Sequence, residues 1–81
     1  MRIIENKIFK IMSLVLKVDL QALNENSNMD NLSEWDSLRH MNLILALEEE
    51  FSVSLPEEDV ANLTSFKLLN ICVSELVEKQ K

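Results

Sequence analysis

Apolar residues at the start of the chain recur at helical spacing. Ile4, Ile8, Ile11, Val15 and Val18 fall three or four apart, which draws one stripe along an amphipathic helix of roughly residues 2–17. The period then stops. Residues 19–35 predict a loop, with Asn24, Asn26, Asn28 and Asn31 supplying turn chemistry. Leu20, Leu23, Met29 and Leu32 are expected to pin that loop to a core. A connection of this length is long for a small domain, and such loops are often functional or must cross a bundle.

A second helical period runs from about Ser37 to Phe51, with Leu38, Met41, Ile44, Leu45, Leu47 and Phe51 as its apolar side. Glu48, Glu49 and Glu50 crowd its last turns, where the helix dipole prefers cations, at a cost of about 0.3–1 kcal/mol for an exposed charge. A use for these acids beyond helix stability is therefore expected. Ser54-Leu55-Pro56-Glu57 reads as a capping box with Pro in the first turn, opening a short helix of about residues 56–61. Ser65 then caps a last helix, about residues 66–79, with Phe66, Leu69, Val73, Leu76 and Val77 facing inward. The pattern predicts an all-α chain, a small four-helix bundle of three long helices and one short one.

Composition sharpens this picture. The chain has 81 residues, which predicts one domain over residues 1–81 and a monomer. It contains no Gly and one Pro, so the usual residues for φ > 0 turns are missing and tight hairpins are not expected. One Cys excludes an internal disulfide and a Cys-based zinc site. Cys72 lies between inward positions of the last helix and reads as a buried, inert thiol. No secretory signal is seen, and no apolar stretch is long enough to span a membrane. A cytoplasmic setting is expected, which leaves the sequons Asn31-Leu32-Ser33 and Asn62-Leu63-Thr64 without meaning.

The charge is concentrated in the middle. Residues 36–60 hold seven acids and one base, Arg39, against a net charge of −6 for the whole chain. Such a patch repels nucleic acid and suits basic protein partners. If Glu48–Glu50 and Glu57–Asp59 face one another, divalent cations should raise the melting temperature by relieving repulsion.

Few residues offer chemistry. Asn24, Asn26, Asn28 and Asp30 alternate like a calcium loop, but the sixth position is Met29 and the twelfth Trp35, so the required Gly and Glu are missing. No metal site is expected. Ser37 and His40 are three apart and share a helix face. A single His, without an oxyanion hole or a Gly-rich turn, does not make a hydrolase, and His40 reads as a surface residue. Ser37 stands at the entrance of the second helix, and three framings of that entrance are open: Ser37 as N-cap, Asp36 as N-cap with Ser37 first in the helix, or Ser33 as cap with Asp36 closing a box. In the Asp36 framing the Ser37 hydroxyl is exposed at the positive helix end, a place that suits a phosphate ester.

Asp36-Ser37-Leu38, the run Met41-Asn42-Leu43-Ile44-Leu45-Ala46-Leu47-Glu48-Glu49-Glu50-Phe51, and then Leu55-Pro56-Glu57-Glu58 together resemble the acyl carrier protein family. The match is gapless from Asp36 to Asp59 and looser through the last helix, while the first helix and loop fit in length and pattern only. The resemblance implies a carrier and not an enzyme. It implies that Ser37 bears 4′-phosphopantetheine, placed there from coenzyme A by a phosphopantetheinyl transferase. The arm would hold acyl groups as thioesters for acyl-loading and acyl-processing enzymes of fatty-acid, polyketide or related lipid biosynthesis. Carried over by position, the partner contacts are Asp36, Leu38, Arg39, Met41, Leu45, Glu48, Glu49 and Leu55. Cargo could lie against Leu47, Phe51, Val60, Leu63, Phe66 and Leu69, residues that equally form an ordinary core.

The chain also departs from the pattern of housekeeping carriers. Glu34-Trp35 stands where Gly is usual, and Arg39 and Asn42 stand where acids are usual. These departures suggest a specialised pathway, with Trp35, Arg39 and His40 setting its partner choice, although packing on the loop is the simpler role for Trp35. Rival readings are an aminoacyl or peptidyl carrier of a nonribosomal type and an unmodified acidic helical adaptor.

Overall fold

The computed structural model describes residues 2–80. The helices are α1 (Arg2–Leu16), α2 (Ser37–Phe51), α3 (Glu57–Val60) and α4 (Phe66–Lys79), with a 3-10 turn at Leu20–Ala22 between α1 and α2. The four-helix bundle predicted from the periodicity is therefore present. The one addition is the 3-10 turn inside the long connection.

The core lies where α1, α2 and α4 meet. Ile8, Met12, Leu16, Leu43, Leu47, Leu69 and Val73 are fully buried, each contributing about 1.5–3 kcal/mol by leaving water. Two expectations shift here. The buried spine of α1 is Ile8-Met12-Leu16, while Ile4, Ile11, Val15 and Val18 are half-buried flanks. In α2 the inward face is His40, Leu43, Ile44 and Leu47. Leu38, Met41 and Leu45, which share the apolar side of the period and are also expected as partner contacts, are exposed. The apolar arc of α2 is wider than the core can cover. Phe9 of α1 stacks nearly parallel on Phe66 of α4, with 4.0 Å between ring centroids and 9° between the planes, which ties the two helices together through aromatic surface.

Two non-glycine residues take the left-handed conformation that ends a helix. Lys17 has φ 58° and Ser52 has φ 54°. Val18 N–H reaches Ser13 O at 3.3 Å and Val53 N–H reaches Glu48 O at 3.1 Å, the long closing bond of a Schellman ending. Gln80 Nε2 donates to the Phe51 and Ser52 carbonyls. The end of α4 thus covers the end of α2.

The long connection is tied down by its own side chains. Asn24 Oδ1 accepts from Asn26 N–H, Asn28 Oδ1 from Asp30 N–H, and Asn31 Oδ1 from Asn28 N–H. The first two are Asx turns, the local use that Asn makes of its amide, and the third runs back from Asn31 to a backbone amide three residues earlier. Met29 N–H then bonds Thr64 O at 3.0 Å and Phe66 N–H bonds Ser27 O at 2.9 Å, joining the loop to the start of α4. Leu23 is buried and Met29 and Leu32 are half-buried against the core, whereas Leu20 is exposed.

The predicted capping box at α3 is absent. Pro56 occupies the cap position and no side chain caps the helix. Leu55 N–H donates instead to Glu48 Oε2 at 2.7 Å, so α2 and not Ser54 holds the entrance to α3. Among the described residues no helix is long and apolar enough to cross a membrane.

Candidate functional site

The loop ends at Asp36, whose extended backbone (φ −103°, ψ −179°) turns the chain into α2. Its carboxylate accepts from Arg39 N–H at 2.9 Å, and its carbonyl accepts from His40 N–H at 2.8 Å. Of the three framings of this entrance, Asp36 as N-cap is the one adopted. Ser37 is the first residue of the helix and is exposed. Its own N–H and that of Leu38 belong to the first turn, where amides lack intrahelical partners. An anion joined to Ser37 Oγ would meet these amides and the positive end of the dipole.

Ser37 also borders a cleft of about 470 Å³ between α2 and α3, lined by Met29, Ser37, His40, Met41, Glu57, Val60 and Ala61. One wall is the first turns of α2 and the other is α3 itself. Ser37 thus stands on a rigid, capped helix end with a partly apolar cleft beside it.

His40 requires a correction. It is buried, at 5 % exposure, and not a surface residue. Its Nδ1 accepts from Trp35 Nε1 at 3.0 Å, and its Nε2 lies 2.7 Å from Val60 O. Trp35 is itself 2 % exposed, so it packs inside the fold and neither residue is presented to a partner. With both ring nitrogens engaged, His40 cannot serve as a base for Ser37. The sign that could have found this pair was the placement of the only Trp and the only His five residues apart. A buried indole N–H needs an acceptor, and an imidazole one turn into the following helix can supply it.

Arg39 is half-buried. Its guanidinium donates to Glu34 O at 3.2 Å and Leu16 O at 3.4 Å, bridging the loop to the end of α1, where a cation suits the last carbonyls. Leu55 is 5 % exposed and belongs to the core, which corrects its expected place among surface contacts. Glu48 is half-buried on Leu55 N–H.

Leu38, Met41 and Leu45 form an exposed stripe at 74, 50 and 56 % exposure, leading from Ser37 along α2 to the exposed Glu49. The residues suggested for cargo divide in two: Leu47, Leu63, Phe66 and Leu69 are buried, while Phe51 and Val60 are half-buried.

Glu50 lies 3.4 Å from Lys7, an exposed pair of small energetic weight. Among the described residues no group of three or more His, Cys or acidic side chains could hold a metal ion. Cys72 is half-buried, and burial, with Asp59 and Glu75 adding their charges, raises its thiol above the ordinary cysteine value.

A small helical bundle with an exposed serine at a capped helix entrance is the class that this architecture and site define. A family model described as "Phosphopantetheine attachment site" matches residues 6–69. The acyl carrier protein of Buchnera aphidicola subsp. Schizaphis graminum (strain Sg) is 41 % identical over 63 residues, covering 76 % of this chain and 78 % of that protein. The solution NMR structure of a holo acyl carrier protein from Geobacter metallireducens superposes with a TM-score of 0.83 at 24 % identity, over 94 % of this chain and 87 % of that one. The chain belongs to the acyl carrier protein family. Its members are carriers and not catalysts, and 4′-phosphopantetheine is their prosthetic group.

Proposed function

We propose that Ser37 holds 4′-phosphopantetheine as a phosphate ester and that the chain presents acyl intermediates to partner enzymes. The observation that carries this reading is an exposed hydroxyl on the first residue of a capped helix, at the edge of a cleft. The arm, when bound, supplies a thiol that takes the acyl group as a thioester. The chain's own residues root it and display it. Asp36 fixes the helix start, the unpaired first-turn amides would meet the ester phosphate, and the rigid helix end limits where the arm can begin.

Partner enzymes would dock on the exposed stripe of α2, meeting Leu38, Met41 and Leu45 with apolar surface and Asp36 and Glu49 with basic groups. Apolar contact at the centre and charge at the rim give fast, transient encounters. Asn42 is exposed beside this stripe, and Arg39, half-buried against the end of α1, adds a positive charge at the front of α2, so the front half of the helix is less acidic than its rear. This supports service in a specialised pathway, such as polyketide, nonribosomal peptide or modified-lipid synthesis.

Incubation of the purified chain with coenzyme A and a broad-specificity transferase tests the reading by intact mass. A gain of one phosphopantetheine unit is expected, absent in Ser37→Ala. No gain, or an equal gain in both proteins, refutes it.

A further inference from the structure

α3 is weakly tied to the bundle. It spans Glu57–Val60 and makes little contact with the other helices. Its backbone bonds are local: Asp59 and Val60 N–H to Pro56 O, Asn62 N–H to Asp59 O, and Leu63 N–H to Val60 O. Glu48 of α2 holds Leu55 N–H ahead of α3, and within α3 itself the side-chain bond from α2, among the described residues, is His40 Nε2 to Val60 O, at 2.7 Å. The tautomer for this bond is set from the other side of the ring. An indole N–H can only donate, and Trp35 Nε1 lies 3.0 Å from His40 Nδ1. Nδ1 therefore accepts, and the ring proton sits on Nε2, facing the Val60 carbonyl. His40 and Val60 both line the cleft that begins at Ser37.

We propose that His40 is a latch that ties α3 to α2 beside Ser37 and so sets how far a carried chain enters between these helices. The second half of this proposal rests on Ser37 being the attachment point. A chain lying along the rim leaves the latch closed. A chain passing deeper must part His40 from Val60, because the bond spans the two walls it would separate. His40 is thus a positioning residue for α3, and it selects cargo by the depth at which the chain is housed.

Two substitutions separate the two jobs of the ring. In His40→Gln the side-chain amide nitrogen reaches the place of Nε2 and can donate to Val60 O. In His40→Asn the amide oxygen takes the place of Nδ1 and accepts from Trp35, but nothing reaches Val60. Hydrogen exchange on the unmodified proteins should show the Asn62 and Leu63 amides exchanging about tenfold faster in H40N than in wild type. H40Q should stay near wild type, and α1 and α4 should be protected in all three. Equal exchange of these amides in the two variants overturns the latch. Should a variant fail to fold, the imidazole ¹⁵N shifts of the wild-type protein decide: a protonated Nε2 with a bare Nδ1 supports the latch, and a protonated Nδ1 overturns it.

With an eight-carbon acyl group on the arm, hydroxylamine should cleave the thioester more slowly in H40N than in wild type. Equal cleavage overturns the role in cargo depth. A chain that takes no arm overturns that role together with the reading of Ser37, while the latch itself is judged on the unmodified protein.

Discussion

Trp35 Nε1 donates to His40 Nδ1 across 3.0 Å, and both residues are buried. The indole thereby sets the orientation of the imidazole that faces α3. Trp35→Phe keeps an aromatic ring but leaves His40 Nδ1 buried and unpaired. The unpaired nitrogen and the lost volume together should cost about 2–4 kcal/mol, read as a lower urea midpoint. An unchanged midpoint would mean that the pair adds nothing to stability.

Asp36 is a cap before it is a partner contact. Asp36→Ala removes the acceptor for Arg39 N–H and should cost about 1 kcal/mol, with Asp36→Asn close to wild type. In a domain of this size that loss lowers the melting temperature by about 4–8 °C. Equal melting temperatures for the Ala and Asn variants would contradict the capping role.

Adjacent glutamates should separate stability from docking. Glu48 holds Leu55 N–H, so Glu48→Ala should lose about 1–2 kcal/mol in denaturant titration. Glu49 is exposed, so Glu49→Ala should stay within about 0.5 kcal/mol of wild type. The same Glu49 variant is expected to slow modification by the transferase at low ionic strength, with the difference shrinking as salt is added.

Ser52 carries a left-handed backbone at the end of α2, a conformation that costs a residue with a Cβ about 1–2 kcal/mol. Ser52→Gly removes this strain but frees the unfolded chain, leaving an expected net gain of about 0.5–1 kcal/mol. Thermal unfolding should show a higher midpoint, and a lower one would contradict the account of the helix ending.

Much of this was legible in the chain because helical periods and turn chemistry are local signals. The bounds of α2 follow from a loop rich in Asn, an Asp-Ser start and apolar residues through Phe51. The direction in which the apolar arc of α2 faces was not legible. Leu38, Met41 and Leu45 share the period of the core residues, and only the positions of α1 and α4 decide which part of the arc is covered. His40 was misplaced for a related reason. Its spacing from Ser37 suggests a shared exposed face, whereas its partners, Trp35 in the loop and Val60 on α3, come from elements that meet only on folding. Pro56 and Ser54 resembled a capping box, but the carboxylate of Glu48 reaches the segment from a separate helix.

Ser37 as the root of the prosthetic arm is tested most directly on protein isolated from cells that contain a phosphopantetheinyl transferase. Trypsin cuts after Lys17 and Arg39, so the fragment spanning residues 18–39 carries Ser27, Ser33 and Ser37 together. Tandem mass spectrometry of that fragment should find one phosphopantetheine unit and localise it to Ser37. An unmodified fragment, or an arm on Ser27 or Ser33, would contradict the account.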